Sequence, residues 1–196
     1  MRPLHLQLSV LVLACAFPLL ATAQSAAPSA ATAKADAEVA LAVADLDLYQ
    51  RGLQLEIEAL KLAQQRLQSA RDARDDVSES AALQPVLTRQ YERNAAKALN
   101  VDLRRYRDVK RRFGDMLVLG EYIDQLNAQL EQLHQSGMST KQRADQRKAL
   151  EDARAKAVDP YAVLDVALRD ALKQRADALM RLRVDNRDLV QELTSR

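Results

Sequence analysis

Apolar residues recur every seven positions between residues 39 and 67. One row consists of Val39, Leu46, Leu53, Leu60 and Leu67, and the second of Leu41, Leu48, Leu55 and Leu62. Since residues two positions apart on an α-helix are separated by about 200° around its axis, the two rows lie on nearly opposite faces. The pattern predicts a helix from about Asp36 to Asp75 that neighbours contact on two sides.

A β-strand is the competing interpretation for part of this segment, because LQLEIEALKL nearly alternates between apolar and polar residues. However, Glu, Gln, Lys and Ala favour a helix, the seven-residue period persists, and no turn residues flank the segment. We therefore predict a helix, in which Gly52 costs roughly 1 kcal/mol relative to alanine.

A break and a second long helix are predicted next. The residue types that cap helices are found at Asp75, Asp76, Ser78 and Ser80. Pro85 suits the first turn of a new helix, where its missing N–H costs nothing. Apolar positions from Leu99 to Leu133 continue at spacings of three and four, so the second helix is predicted from about Pro85 to Gln135.

Two glycines, Gly114 and Gly120, lie within the apolar seam of this second helix. The spacing of three and four continues through both, which favours one long helix, with the glycines as the place where a kink could occur. The alternative is a turn at Phe113-Gly114-Asp115, since glycine often terminates helices.

The chain after residue 135 predicts a turn and a third helix. Ser136-Gly137-Met138 has the composition of a turn, and Ser139 with Gln142 matches a capping box. The helix that follows, over residues 140–158, is polar and rich in alanine.

A fourth helix is predicted from Pro160 to about Thr194, with Asp159 as its N-cap and Pro160 at its first position. Short turns between helices of similar length favour antiparallel neighbours. The expected fold class is all-α: an elongated antiparallel helical bundle, or coiled-coil hairpin, of three to four long helices in a single domain over residues 36–196. An aromatic content of 4% with no Trp agrees with seams of Leu and Ala.

The N-terminal residues predict export. Arg2 precedes a mostly apolar segment, Leu4 to Leu20, and Ala21-Thr22-Ala23 matches the small-x-small site of signal peptidase. The apolar segment is short of the roughly 20 clean residues that a membrane anchor needs. We expect a signal peptide cleaved after Ala23, a flexible linker over residues 24–35, and a periplasmic or secreted protein.

A lipoprotein is the alternative. Val12-Leu13-Ala14-Cys15 resembles a loose lipobox, and lipidation of Cys15 would anchor the chain to a membrane. The apolar segment continues to Leu20, which argues against cleavage at Cys15. A membrane is therefore expected as a partner only if Cys15 is lipidated.

Charge and cysteine content argue against disulfide bonds and against nucleic-acid binding. Removal of residues 1–23 takes away Cys15 and Arg2, and leaves 28 basic and 27 acidic residues with no cysteine. Disulfides are then impossible, and a near-neutral exported chain is a poor candidate for binding nucleic acid.

Residues suited to catalysis or metal binding are scarce. His134, in the step Glu131-x-x-His134, is the single histidine after residue 23, whereas di-iron bundles require that motif twice and two further Glu. The chain contains no glycine-rich phosphate loop, and Ser136 and Ser139 are ordinary turn and cap residues. We expect no enzyme activity, no cofactor and no metal site.

Two surfaces are candidates for binding. The second leucine row, Leu41, Leu48, Leu55 and Leu62, is a seam for a protein partner or a second copy if it is exposed, and part of the core if it is not. The densest basic run is RRYRDVKRR, with Arg104, Arg105, Arg107, Lys110, Arg111 and Arg112. Such a run docks anionic headgroups, envelope polysaccharide or an acidic partner, or else is the solvated face of a helix.

These features predict an exported, non-enzymatic helical interaction or scaffold protein of the bacterial cell envelope that acts through helix–helix contacts. One alternative is a periplasmic holdase chaperone for unfolded or assembling envelope proteins. Another is a metal- or ligand-binding helical bundle, which the single histidine disfavours.

Overall fold

The structure, a computed structural model, describes residues 40–133 and 137–195. The helices in these ranges are α1 (Val43–Ala73), α2 (Asp76–Leu87), α3 (Gln90–Ala98), α4 (Leu103–Gln132), α5 (Thr140–Lys156) and α6 (Val166–Thr194). No strand occurs in the described ranges. The all-α prediction is therefore confirmed, and the strand interpretation of residues 53–62 is wrong.

Several predicted features lie outside the described residues. They are the signal peptide over residues 1–23 with its cleavage site, the lipidated Cys15, the linker over residues 24–35, the helix start at Asp36, Val39, and His134. The leader, the lipidation and the chemistry of His134 stay predictions.

Helix α1 begins at Val43, because Ala42 is extended at φ −128° and its N–H donates to the carboxylate of Asp45 at 2.9 Å. The helix ends two residues before the predicted Asp75. Arg74 adopts the left-handed conformation at φ 55°, and the N–H of Asp75 donates to the carbonyl of Ala70. This bond is the Schellman closure that commonly ends helices.

The prediction of one second helix from Pro85 to Gln135 is wrong, because α2, α3 and α4 divide that segment. Arg89, at φ 52°, separates α2 from α3, and Asn100, at φ 53°, follows α3. Pro85 lies inside α2, which begins nine residues earlier because the Asp75 side chain accepts hydrogen bonds from Val77 N and Ser78 N. A residue at positive φ cannot continue a right-handed helix, so the helix is interrupted at both positions.

The expectation that the helix continues through the two glycines is confirmed, since α4 includes both Gly114 and Gly120. The alternative turn at Phe113-Gly114-Asp115 is therefore wrong. Helix α4 begins after Asp102, whose carboxylate accepts from Arg104 N at 2.8 Å and from Arg105 N at 3.2 Å.

Replacement of Asp102 by alanine is expected to lower the free energy of unfolding by about 1 kcal/mol, because two N–H groups of the first turn of α4 lose their acceptor. Urea denaturation followed by circular dichroism measures the change. The Asp102→Asn variant keeps an accepting oxygen and is the control. An equal loss in both variants would contradict the capping role.

The prediction for α5 is confirmed, including the capping box between Ser139 and Gln142. The predicted start of the last helix at Pro160 is wrong, since α6 begins at Val166 with Asp165 as its N-cap. Asp159 instead accepts from Tyr161 N at 2.9 Å and stabilises a turn. That turn places the Tyr161 ring against Gly120, where an added Cβ would lie 2.9 Å from Tyr161 Cζ.

Helices α1 and α6 run parallel along each other. Asp47 bonds Arg175 near one end and Gln64 bonds Glu192 near the other, and both pairs are 128 residues apart in sequence. The core between them and α4 is apolar. It includes Leu46, Leu53, Val109, Phe113, Leu117, Leu168, Leu172 and Leu179.

The first leucine row is the core face of α1, since Leu46, Leu53, Leu60 and Leu67 are all buried. The second row becomes more exposed along the chain. Leu41 is buried just before α1, Leu48 and Leu55 pack partly beside Ala95 and Ala96 of α3, and Leu62 is 47% exposed. The use of this second leucine row as a seam for a protein partner stays a prediction.

Candidate functional site in a basic groove

The residues of the predicted basic patch contact different partners around α4. Three of its residues pair with carboxylates of other helices: Arg105 with Asp45 at 2.7 Å, Arg107 with Glu92 at 2.8 Å, and Lys110 with Glu56 at 2.7 Å. Arg111 and Arg112 pair with Asp108 on α4 itself, and Arg104 is exposed. As a docking surface for anions, the six residues stay a prediction.

A buried carboxylate organises the interior below this run. Glu56 of α1 has no solvent exposure. It accepts from Tyr106 Oη at 2.6 Å, from Lys110 Nζ at 2.7 and 2.9 Å, and from Asn186 Nδ2 at 2.9 Å. Glu56 therefore joins α1, α4 and α6, and each donor offsets part of the cost of burying its charge.

Burial also affects the phenols around this centre. Burial raises the pKa of Tyr106 far above its usual range, and the adjacent charge of Glu56 and the hydrogen bond to it act in the same direction. Burial likewise raises the pKa of Tyr49 to about 12, against the opposing charge of Arg183. Both phenols therefore remain protonated at neutral pH, and Tyr106 donates a hydrogen bond to Glu56.

Glu92 of α3 is a second shielded carboxylate, only 6% exposed. It accepts from Arg107 Nε at 2.8 Å and from Lys110 Nζ at 3.3 Å. Burial by itself would raise the pKa of Glu92, but the charges of Lys110 and Arg107 and the hydrogen bonds they donate lower it below its usual value. Glu92 is therefore ionised at neutral pH.

An open groove of about 390 Å³ is lined by residues of α1, α3, α4 and α6 and by Arg89, and Glu92 is one of them. Its cationic lining residues are Arg89, Arg107, Lys110, Arg111, Arg183 and Arg187, and its acidic ones are Glu92 and Asp115. The lining thus holds six cations and two carboxylates, and three of the cations also pair with carboxylates just outside it: Lys110 with Glu56, Arg111 with Asp108 and Arg187 with Asp188. We call this site the basic groove.

The floor of the basic groove is apolar. It includes Tyr49, Leu53 and Gly114. The Tyr49 ring stacks on Phe113 with centroids 5.6 Å apart, and a Cβ at Gly114 would lie 3.5 Å from Arg183 Nε. A Cβ at Gly114 would therefore fit beside Arg183 at an ordinary contact distance.

The groove's chemistry is that of an anion-binding site. Five of its six cations are arginines, whose planar guanidinium groups donate two parallel hydrogen bonds to a carboxylate or phosphate. The side chains of Arg111 and Arg187 are 63% and 66% exposed. They can therefore turn toward a ligand without losing buried contacts.

Half of the groove's cations were not identified from the sequence: Arg89, Arg183 and Arg187 lie outside the basic run. The spacing of Arg183 and Arg187 by four residues was visible and places them on one face of a helix. Only the packing of α6 against α4 brings this face next to Arg107 and Arg111. Glu56 and Glu92 were also missed, since exposed and buried glutamates look alike in a sequence.

Within the part of the chain that the structure describes, no three His, Cys, Asp or Glu side chains are grouped in a way that would hold a metal ion. None of the helices in that part has both the length and the apolar character needed to cross a membrane. Comparisons with protein-family profiles, curated proteins and solved structures find no match to this chain.

Proposed function

We propose that this chain is an exported, non-enzymatic helical interaction protein of the bacterial cell envelope that docks an acidic segment of a protein partner in the basic groove. The observation that carries the proposal is the lining of the groove, with six cationic side chains against two acidic ones. An excess of like charge in one concave site attracts and orients an oppositely charged partner.

The spacing of the cations favours a segment with repeated carboxylates. Arg183 and Arg187 are one helical turn apart on α6, as are Arg107 and Arg111 on α4. A docking helix with acidic residues four positions apart presents carboxylates at the same spacing. The apolar floor at Tyr49 and Leu53 would receive the aliphatic part of such side chains.

We also infer that α1 and α4 form the antiparallel pair expected for an elongated bundle. Two contacts support this inference. Tyr49 stacks on Phe113, and Glu56, seven residues later on α1, bonds Tyr106, seven residues earlier on α4. An antiparallel pair would give the groove a rigid wall, because α4 supplies half of its cations.

The proposal is tested with a fluorescein-labelled helical peptide that carries glutamates four residues apart, and with a twin peptide in which glutamine replaces each glutamate. Fluorescence anisotropy measures the affinity of both. The acidic peptide is expected to bind, and its binding is expected to weaken as salt rises. The Arg183→Glu/Arg187→Glu variant should bind it at least roughly a hundredfold more weakly, since it loses two charge-assisted hydrogen bonds worth about 1.5–3 kcal/mol each.

The matched control is the Lys141→Glu/Lys148→Glu variant, which makes the same change in charge at exposed positions of α5. Similar losses in both variants would mean that net charge alone drives the binding. Equal affinity for the acidic and the neutral peptide would contradict docking in the groove and would favour a holdase.

A further inference from the structure

One carboxylate already occupies the basic groove. Glu92 lies between Arg107 Nε, at 2.8 Å, and Lys110 Nζ, at 3.3 Å, at one wall of the groove. Both cations come from α4, whereas Glu92 comes from α3, a helix of nine residues. The structure thus displays a bound carboxylate at this position, supplied by the chain itself.

We propose that Arg107 and Lys110 form a carboxylate subsite, that Glu92 fills it as an internal ligand, and that a glutamate or aspartate of the docked segment displaces Glu92 from it. This inference rests on the proposed function, since it concerns the same groove and the same acidic segment. It adds which two side chains hold the incoming carboxylate and which residue limits its affinity.

Each cation of the subsite has a carboxylate partner both before and after the exchange. Lys110 keeps both of its bonds to Glu56, at 2.7 and 2.9 Å, whichever carboxylate fills the subsite. The Arg107 side chain is 44% exposed, so water reaches its guanidinium while Glu92 leaves. An incoming carboxylate restores the charge-assisted bond that Arg107 loses.

Competition with Glu92 lowers the affinity of the groove for an acidic segment. Displaced Glu92 remains tethered next to the site at high effective concentration, so it continues to compete. Its charge also repels the incoming anion. Replacement by glutamine removes that charge and leaves the groove with Asp115 as the one acidic side chain of its lining.

A purely structural role for Glu92 makes a different prediction. If Glu92 does no more than tie α3 to α4, its removal lowers the melting temperature and leaves the affinity for acidic peptides unchanged. Affinity and stability must therefore be measured on the same variants.

The first experiment compares the Glu92→Gln variant with the wild-type protein, using the acidic peptide and fluorescence anisotropy. We expect Glu92→Gln to bind it about tenfold more tightly, the equivalent of one charge-assisted hydrogen bond. The control is Glu58→Gln, the same change in charge on the exposed side of α1, which should alter the affinity by less than about twofold. Equal or weaker binding by Glu92→Gln would overturn the subsite.

A double-mutant cycle checks that the gain acts through Arg107. In the Arg107→Gln background, Glu92→Gln should tighten the peptide much less than tenfold, because one of the two cations that it releases is absent. A full tenfold gain in that background would also overturn the proposal.

A probe without the peptide gives an independent readout. Inorganic phosphate, exchanged for chloride at constant ionic strength, should raise the melting temperature of Glu92→Gln more than that of the wild type or of Glu58→Gln. Equal shifts of the melting temperature in all three proteins would show that removing Glu92 opens no site for phosphate. That result would contradict the carboxylate subsite.

The two proposals can fail separately. Peptide binding that Arg183→Glu/Arg187→Glu abolishes, but that Glu92→Gln leaves unchanged, retains the groove and refutes the subsite. Binding by Glu92→Gln alone supports the subsite and shows that Glu92 blocks the wild-type groove. No binding by any variant refutes both.

Discussion

Replacement of Glu56 by alanine is expected to lower the free energy of unfolding by about 3–5 kcal/mol, the usual cost of removing one partner of a buried ion pair. The change leaves the Lys110 ammonium, the Tyr106 hydroxyl and the Asn186 amide without the acceptor that they share. Urea denaturation at neutral pH, followed by far-UV circular dichroism, measures the loss.

The control for Glu56→Ala is Glu58→Ala, two residues further along the same helix and exposed. That variant should lie within about 0.5 kcal/mol of the wild type, as surface substitutions usually do. A loss below about 1 kcal/mol in Glu56→Ala would show that water or a rearranged side chain replaces the carboxylate.

The Glu56→Leu/Lys110→Met variant separates the cost of an unpaired charge from the value of the pair. Replacing both charges with apolar groups of similar volume removes the unpaired ammonium, and buried pairs treated in this way often lose little stability. The variant should therefore be more stable than Glu56→Ala. Tyr106 and Asn186 still lack their acceptor, at about 1 kcal/mol each, so recovery is expected to be incomplete.

Replacement of Gly52 by alanine is expected to destabilise the protein by about 3 kcal/mol. The added Cβ would lie 2.5 Å from Tyr106 Oη and 2.8 Å from Tyr106 Cζ. The ring has no room to retreat, because Tyr106 is fully buried and its hydroxyl bonds Glu56. Overpacking of this kind costs about 1–3 kcal/mol and occasionally more, which outweighs the roughly 1 kcal/mol that alanine otherwise gains in a helix.

Gly114→Ala is the matched control for Gly52→Ala. Both glycines lie inside long helices and both are buried, but a Cβ at Gly114 would meet nothing closer than Arg183 Nε at 3.5 Å. This variant should be as stable as the wild type or up to about 1 kcal/mol more stable. Comparable losses in the two variants, measured by urea denaturation, would contradict the contact between Gly52 and Tyr106.

The period of the leucines was sufficient to predict α1 and its core face. Leu46, Leu53, Leu60 and Leu67 recur at the helical period, and all four are buried in the structure. The Ser139–Gln142 capping box likewise predicted the start of α5, because a cap depends on residues three positions apart. The sequence also indicated that α4 continues through Gly114, since its apolar seam does not change register there.

The breaks on either side of α3 were not predicted, for two different reasons. Asn100, which tolerates the left-handed conformation, precedes Asp102, a good N-cap, so this break had a signal that was overlooked. Arg89 has no such signal, because arginine has no preference for positive φ. Just before the break, Ala82 and Val86 of α2 pack with Leu60, Ala63 and Leu67 of α1, a tertiary contact that no local signal reveals.

What the sequence by itself determined is therefore the helical class, the core face of α1 and the capped start of α5, since these depend on residues within one or two turns of each other. Only the tertiary structure decided where the charges meet. Glu56 lies 50 residues from Tyr106, 54 from Lys110 and 130 from Asn186. The basic groove combines cations from the break before α3, from α4 and from α6 in the same way. No local period relates such distant residues, so the packing of the helices alone brings them together.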